Sequence, residues 1–272
     1  MKGSPGNEKG KNPWFQYPDR KISERGKEIM KTYRIIPLPL AWFEMDMSVL
    51  TYRFNYGKKY RTPLCCWYIE GAESNILVDT AADAKMATEF RGFPAEHIAT
   101  FEEALARVGL KPDDIDLVIQ THLQWDHCGN TYKCKNAKLL ATETEVKFAL
   151  APHPILAPTY KMDLLKDLTF TLVDGKYEVA PGIELIPAPG HTPGTQAVSV
   201  NTDKGKAIIS GFCTTRENFE PPEEVRKFMP VIPPGIHLNA VDGFESILRI
   251  KGLADIVIPV HDPSYVNVKS IP

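Results

Sequence analysis

Apolar positions along the chain come in short runs set off by turn residues, and the runs predict strands and helices in alternation. β-Branched and aromatic residues with turn-like flanks predict strands over Tyr33 to Phe43, Pro63 to Ile69 and Asn75 to Val78. Thr100-Phe101-Glu102-Glu103 reads as a capping box, so a helix starts after Thr100 and is expected to end at Gly109, ahead of Lys111-Pro112. Ile115 to Gln120 is then a strand. The second half repeats the order, with a strand from Lys138 to Ala141 and a helix from Thr142 to Leu150. Strands over Ile183 to Ile186, Gln196 to Val200 and Lys206 to Ser210 follow, then a helix from Asn239 to Ile250 that stops before Gly252, and a last strand from Ile256 to Val260. Strand clusters followed by helices, twice over, predict one α/β domain across 29–272, with two sheets covered by helices. Residues 1–28 are polar and rich in Gly, Lys and Pro, which predicts a flexible arm. Trp14, Phe15 and Tyr17 give that arm something to bury, for instance on a second copy in a homo-oligomer.

Composition narrows the function classes. With 272 residues, 43% hydrophobic and 24% charged, the chain has the make-up of a soluble globular protein, and a formal charge of −2 offers no basic surface for nucleic acid. No apolar run approaches a membrane span, and Met1-Lys2-Gly3-Ser4-Pro5-Gly6 lacks the charged-then-apolar pattern of an export signal, so a cytoplasmic protein is expected. The five cysteines form no disulfide framework and fit a reducing compartment.

The polar residues that interrupt the pattern carry the chemistry. Thr121-His122-Leu123-Gln124-Trp125-Asp126-His127-Cys128-Gly129 packs two imidazoles and a carboxylate directly after an apolar strand. Imidazole nitrogen and carboxylate oxygen hold borderline divalent metals, and a tight turn on a rigid strand lets such groups converge. Pro189-Gly190-His191-Thr192-Pro193-Gly194 and Val260-His261-Asp262-Pro263 each add a lone His just past an apolar run.

Together and in this order, these elements resemble the signature of metallo-β-lactamase-fold hydrolases. Ser210-Gly211 followed by Arg216-Glu217-Asn218-Phe219 is similar to the N-acyl-homoserine-lactone lactonase branch. The resemblance spans residues 74–262 and implies a four-layer αββα sandwich with the metal site at one edge. It implies one metal on His122, residue 124 and His191, and another on Asp126, His127 and His261, with an Asp bridging them. Asp79, in Ser74-Asn75-Ile76-Leu77-Val78-Asp79-Thr80, would support a ligand His from behind. Two positions depart from the pattern. Gln124 stands where a second His belongs, and Ser210-Gly211-Phe212-Cys213 holds no carboxylate for the bridge. Two cations sharing a single carboxylate repel strongly at short range, so the sequence predicts about one tightly held divalent metal per chain. Zinc is the first candidate, with manganese or iron behind it. Asp126, His127 and His261 bring a negative charge and are expected to keep the metal, leaving an open position for water, whereas His122, Gln124 and His191 are neutral. Cys213 is either a ligand thiolate or a buried apolar Cys, and the sequence leaves both readings open.

These readings predict a metal-dependent hydrolase. Its metal polarises a carbonyl and acidifies a water, Asp126 orients that water and hands its proton to the leaving group, and the freed His122 and His191 bind substrate oxygen or act as general base. The likeness to lactonases makes a small lactone the first substrate class, although Thr214 or Thr215 stands where that branch carries a Tyr. A thioester, or a carbon–carbon bond in a cyclic β-diketone opened by a cyclohydrolase reaction, suits the same chemistry. A metal-free binding relative is the non-enzymatic alternative. Two Pro-rich loops, 151–160 and 220–237, are candidate pocket walls, with Tyr160, Phe219, Phe228, Met229 and His237 as candidate substrate contacts.

Overall fold

Strand alternation builds the layers. The computed structural model describes residues 15–16, 31–92 and 94–272; the arm expected over 1–28 lies, apart from the backbone of Phe15 and Gln16, outside the described residues. β1 (Phe15–Gln16), β2 (Arg34–Asp46), β3 (Lys59–Glu70), β4 (Ile76–Val78), β5 (Glu96–His97), β6 (Leu117–Ile119), β7 (Lys138–Thr142) and β8 (Phe170–Val173) form one sheet, in the order β1-β8-β7-β6-β4-β3-β2-β5. β9 (Tyr177–Ala180), β10 (Ile183–Pro187), β11 (Gln196–Thr202), β12 (Gly205–Ile209) and β13 (Ile256–Ile258) form the other, in the order β13-β12-β11-β10-β9.

Successive side chains on a strand face opposite sides, and here they sort into three apolar clusters. Leu77, Val118 and Leu139 pack under α1 (Ala84–Arg91), α2 (Phe101–Ala106), α3 (Trp125–Cys128), α4 (Glu143–Leu150) and α5 (Met162–Leu165). Their chain neighbours Ile76, Val78, Ile119 and Leu140 turn the other way, onto Leu185, Val198, Ile209 and Ile258 of the second sheet. On the far side of that sheet, Ala197 and Ile208 meet Phe219 from α6 (Arg216–Phe219) and, beyond α7 (Glu223–Arg226), Ile247 and Ile250 from α8 (Ala240–Leu253). The result is the expected four-layer αββα sandwich. β4, β6, β7 and β8 run parallel and are covered on both faces, which is why their sequences read as unbroken apolar runs.

Local signals set most element ends. Thr100 caps α2 through the expected box, its hydroxyl accepting from the Glu103 N–H while the Glu103 carboxylate accepts from the Thr100 N–H. α8 does not stop before Gly252 but runs to Leu253, since an exposed last turn tolerates glycine. The chain reverses after β4, β6, β10, β12 and β13 in the loops that carry Asp79, His122 to His127, His191, Gly211 and His261.

Candidate metal centre

The site is assembled by ties between loops. Asp79 adopts φ +56 just after β4, a conformation that a short polar side chain tolerates. Its buried carboxylate accepts from the Thr121 N–H at 2.7 Å and the Thr121 hydroxyl at 2.8 Å, and lies 2.7 Å from His127 Nδ1. The β6 loop is thereby locked to the end of β4. Gln196 on β11 locks it to the second sheet, donating its N–H to the Thr121 carbonyl and its side-chain amide to the Gln120 carbonyl.

Each histidine is oriented from behind. His127 Nδ1 faces Asp79, His191 Nδ1 lies 2.8 Å from the Ile236 carbonyl, and His261 Nδ1 lies 3.4 Å from that of Pro63. His122 Nδ1 lies 3.2 Å from the Thr121 hydroxyl. A proton held at the rear nitrogen leaves Nε2 as a lone pair. His127 Nε2 and His261 Nε2 are buried without a protein partner, at 3.7 and 3.8 Å from Asp126 Oδ2. His122 Nε2 and His191 Nε2 face each other at 3.3 Å. The ligand atoms of His122, Asp126 and His127 all lie within 4.8 Å of one another. Atoms bound to one tetrahedral ion at about 2.1 Å stand roughly 3.4 Å apart, so these orphaned donors fit a divalent metal. In its absence, burial and then the neighbouring imidazoles hold His122 well below the usual histidine range, and burial first of all takes His191 and His261 down to about 4. For His127, burial opposes the charge, but Asp79 and Asp126 outweigh it and raise the pKa.

The backbone at Gly211 leaves little room for a side chain. Gly211 sits at φ +70, where a Cβ would lie 2.2 Å from the Gln196 carbonyl oxygen and 3.0 Å from Thr121 Cβ. Phe212 is buried in the cluster beneath α8, and Cys213 is buried in the cluster on the other side of the sandwich. Burial, with the Asp126 carboxylate next, pushes the Cys213 thiol up, so it stays protonated unless a cation lies against it.

Of the residues singled out in the sequence, His122, Asp126, His127, His191 and His261 converge, with Asp79 behind them. Gln124 precedes α3, buried, and its Nε2 has no partner. Tyr160 is buried with its hydroxyl donated to Glu145, and Phe219 is buried under α8. Half-buried His237 bonds the Pro234 carbonyl through Nδ1 and sets its ring edge against Tyr52. Phe228 is exposed. Sequence reasoning missed Glu145. Its carboxylate, inside the protein, accepts from the Leu123 N–H at 2.9 Å, the Tyr160 hydroxyl at 2.9 Å and the Thr192 hydroxyl at 2.5 Å, clamping the loops of His122 and His191 together. Thr142-Glu143-Thr144-Glu145 has the form of a capping box, which hid this role.

Comparisons with known proteins agree with the geometry. The Metallo-beta-lactamase superfamily pattern matches residues 65–261. An N-acyl homoserine lactonase of Bacillus thuringiensis is 28% identical over 204 residues, covering 70% of this chain and 80% of the relative, and one of Bacillus cereus is 30% identical over 207 residues with the same coverage. A crystal structure of a B. thuringiensis lactonase variant with N-decanoyl-L-homoserine bound at the active site superposes with TM-score 0.69 at 27% identity, covering 86% of this chain and 95% of the other. An N-acyl homoserine lactone hydrolase with N-hexanoyl-L-homoserine bound at its catalytic metal center gives TM-score 0.70 at 26% identity, over 86% and 95% of the two chains. No helix among the described residues is long and apolar enough to cross a membrane. A four-layer sandwich that gathers four imidazoles and a carboxylate at its strand ends, matched over most of its length by one superfamily, makes this chain a member of the metallo-β-lactamase superfamily and a metal-dependent hydrolase.

Proposed function

We propose that the chain holds one divalent metal on Asp126, His127 and His261 and hydrolyses a small lactone. The observation that carries this reading is the approach of the His127 and His261 Nε2 lone pairs to the Asp126 carboxylate, beside the facing His122 and His191, with a Cβ at Gly211 meeting the Gln196 carbonyl. The substrate class comes from the relatives, whose names state lactone hydrolysis. When bound, the metal polarises the lactone carbonyl and makes a water acidic.

The chain's own residues do the rest. Asp126, with its side chain 14% exposed, reaches both the histidines and the solvent side of the site, and takes a proton from the attacking water at its carboxylate. The water oxygen bonds to the acyl carbon as the carbonyl π pair moves onto oxygen. The ring C–O bond then breaks, its electron pair leaves on the alkoxide, and the proton from Asp126 goes there, giving a hydroxy acid. His122 and His191, neutral and fixed through their rear nitrogens, accept a hydrogen from water or product at Nε2. Elemental analysis of purified protein, with turnover measured on γ- and δ-lactones beside thioesters and cyclic β-diketones, tests this. We expect Asp126→Ala and His261→Ala each to lose the metal and turnover, and Gln124→Ala to keep the metal. Two tightly held metals per chain, or a metal that survives His261→Ala but not Gln124→Ala, would sink the reading.

A further inference from the structure

Gln124 is the residue that the metal reading leaves unused. Its backbone is committed, because the carbonyl accepts from the His127 N–H at 2.9 Å and the Cys128 N–H at 3.0 Å at the start of α3. Its side chain makes no capping bond there. The residue is 4% exposed, and its Nε2 is buried with no partner. A buried amide N–H without an acceptor costs roughly 1–3 kcal/mol, so an orphan of this kind in a folded enzyme marks a place where a ligand atom belongs. For Nε2 the matching ligand atom is an acceptor, since an amide nitrogen carries two hydrogens and no available lone pair.

Gln124 lies on the loop after β6, two residues from His122 and two from Asp126. The histidines of the site offer the opposite polarity, since His122 and His191, like His127 and His261, present lone pairs. A group that meets all of these has a donor at one end and a carbonyl acceptor at the other, as water and an ester carbonyl do together. We infer that Gln124 is a catalytic hydrogen-bond donor: its side-chain N–H receives the substrate carbonyl oxygen as water adds to the carbon and the π pair moves onto that oxygen. The donor is neutral and already oriented, so it stabilises the charge that develops without the repulsion of a second cation. Substrates that leave a carbonyl oxygen facing the β6 loop are favoured over those that present a cation or an N–H there. This inference rests on the hydrolytic reading above.

The test uses the metal-loaded full chain and a cyclic phosphonate ester as a tetrahedral mimic of the adduct. Gln124→Leu keeps the side-chain size but removes the donor. The expected result is unchanged metal content, unchanged KM for the best lactone, a fall in kcat of about 10²-fold, and a matching loss of phosphonate affinity. Gln124→Glu keeps the shape, removes both N–H groups and adds charge; we expect the same fall in kcat with metal content equal or higher. Loss of the metal in Gln124→Leu would make Gln124 a ligand and overturn the inference. A kcat within threefold of wild type with the metal retained would overturn it as well. A wild-type protein that turns over no lactone, thioester or cyclic diketone and binds no phosphonate overturns the hydrolytic reading itself, and this inference with it.

Discussion

Position 211 shows how one residue limits what a strand end can carry. An aspartate there needs a left-handed backbone, which costs a non-glycine residue roughly 1–2 kcal/mol, and a Cβ pressed against the Gln196 carbonyl oxygen at 2.2 Å. Gly211→Asp is therefore expected to lower stability by about 3 kcal/mol or more, and to leave the metal content at about one per chain. Denaturant midpoints and elemental analysis check this; a second metal bound at undiminished stability would show that the strand end can yield. Glu145 offers a pH-resolved case. Burial raises its pKa against the pull of its hydrogen bonds, so between the unfolded and the folded pKa the native state holds the extra proton. The stability contributed by that proton is present at low pH and is lost as pH rises through the folded value. Glu145→Gln is expected to cost about 1–3 kcal/mol at low pH, because the amide nitrogen brings two hydrogens and no acceptor where the protonated carboxyl brings one hydrogen and keeps a lone pair, and the gap from wild type should narrow as pH rises through the folded value. A gap that widens with pH would refute the assignment. The candidate ligands stood out in the sequence because few side chains bind metal. Glu145 was not, because a carboxylate three residues after a threonine looks like a helix cap until the fold turns it inward.

Among the elements, β2 shows what alternation predicts and what it hides. Ile35 exchanges both backbone bonds with Ile271, so the odd-numbered residues at this end of β2 point their N–H positions away from β3. Pro37 and Pro39 follow on that parity and have no N–H to give. The stretch of β2 between Ile271 and β5 therefore carries no outward donor at these two positions, and both prolines are buried, so no N–H is left there without a partner. Replacing both with Val restores two buried donors with no strand beside them. The double variant is expected to lose about 1–3 kcal/mol per donor, read from denaturant midpoints; an unchanged midpoint would show that the prolines spare the fold nothing. The sequence marked the strand here, since β-branched and apolar residues outweigh the prolines. It did not mark α1, whose one buried residue is Ala87, although the Asp83 cap and left-handed Gly92 were local signals for it. β8 was also missed: Thr171 alternates with Phe170 and Leu172, but four residues are too few for the period to stand out.

At the scale of the whole molecule, the candidate ligands come from both sheets: His122, Asp126 and His127 follow β6, whereas His191 follows β10 and His261 follows β13. Adjacent stretches are tied by Thr62 donating to the His261 carbonyl, and by the Glu145 clamp between the His122 and His191 loops. A metal held across these loops therefore acts as a joint between the two sheets. A ligand that binds only the native state adds stability in proportion to its saturation, about 4 kcal/mol at a thousand times Kd. For a domain of this size that corresponds to roughly 8–16 °C in Tm, taking 2–4 °C per kcal/mol. Chelation should lower Tm by about that amount, and hydrogen exchange should rise together in the loops after β6 and β13 while the strands between the sheets stay protected. Readdition of the metal should reverse both changes. An unchanged Tm on chelation, or a rise in exchange confined to the β6 loop, would mean that the ion, if bound, does not join the two sheets, and the assignment of His261 as a ligand would fall.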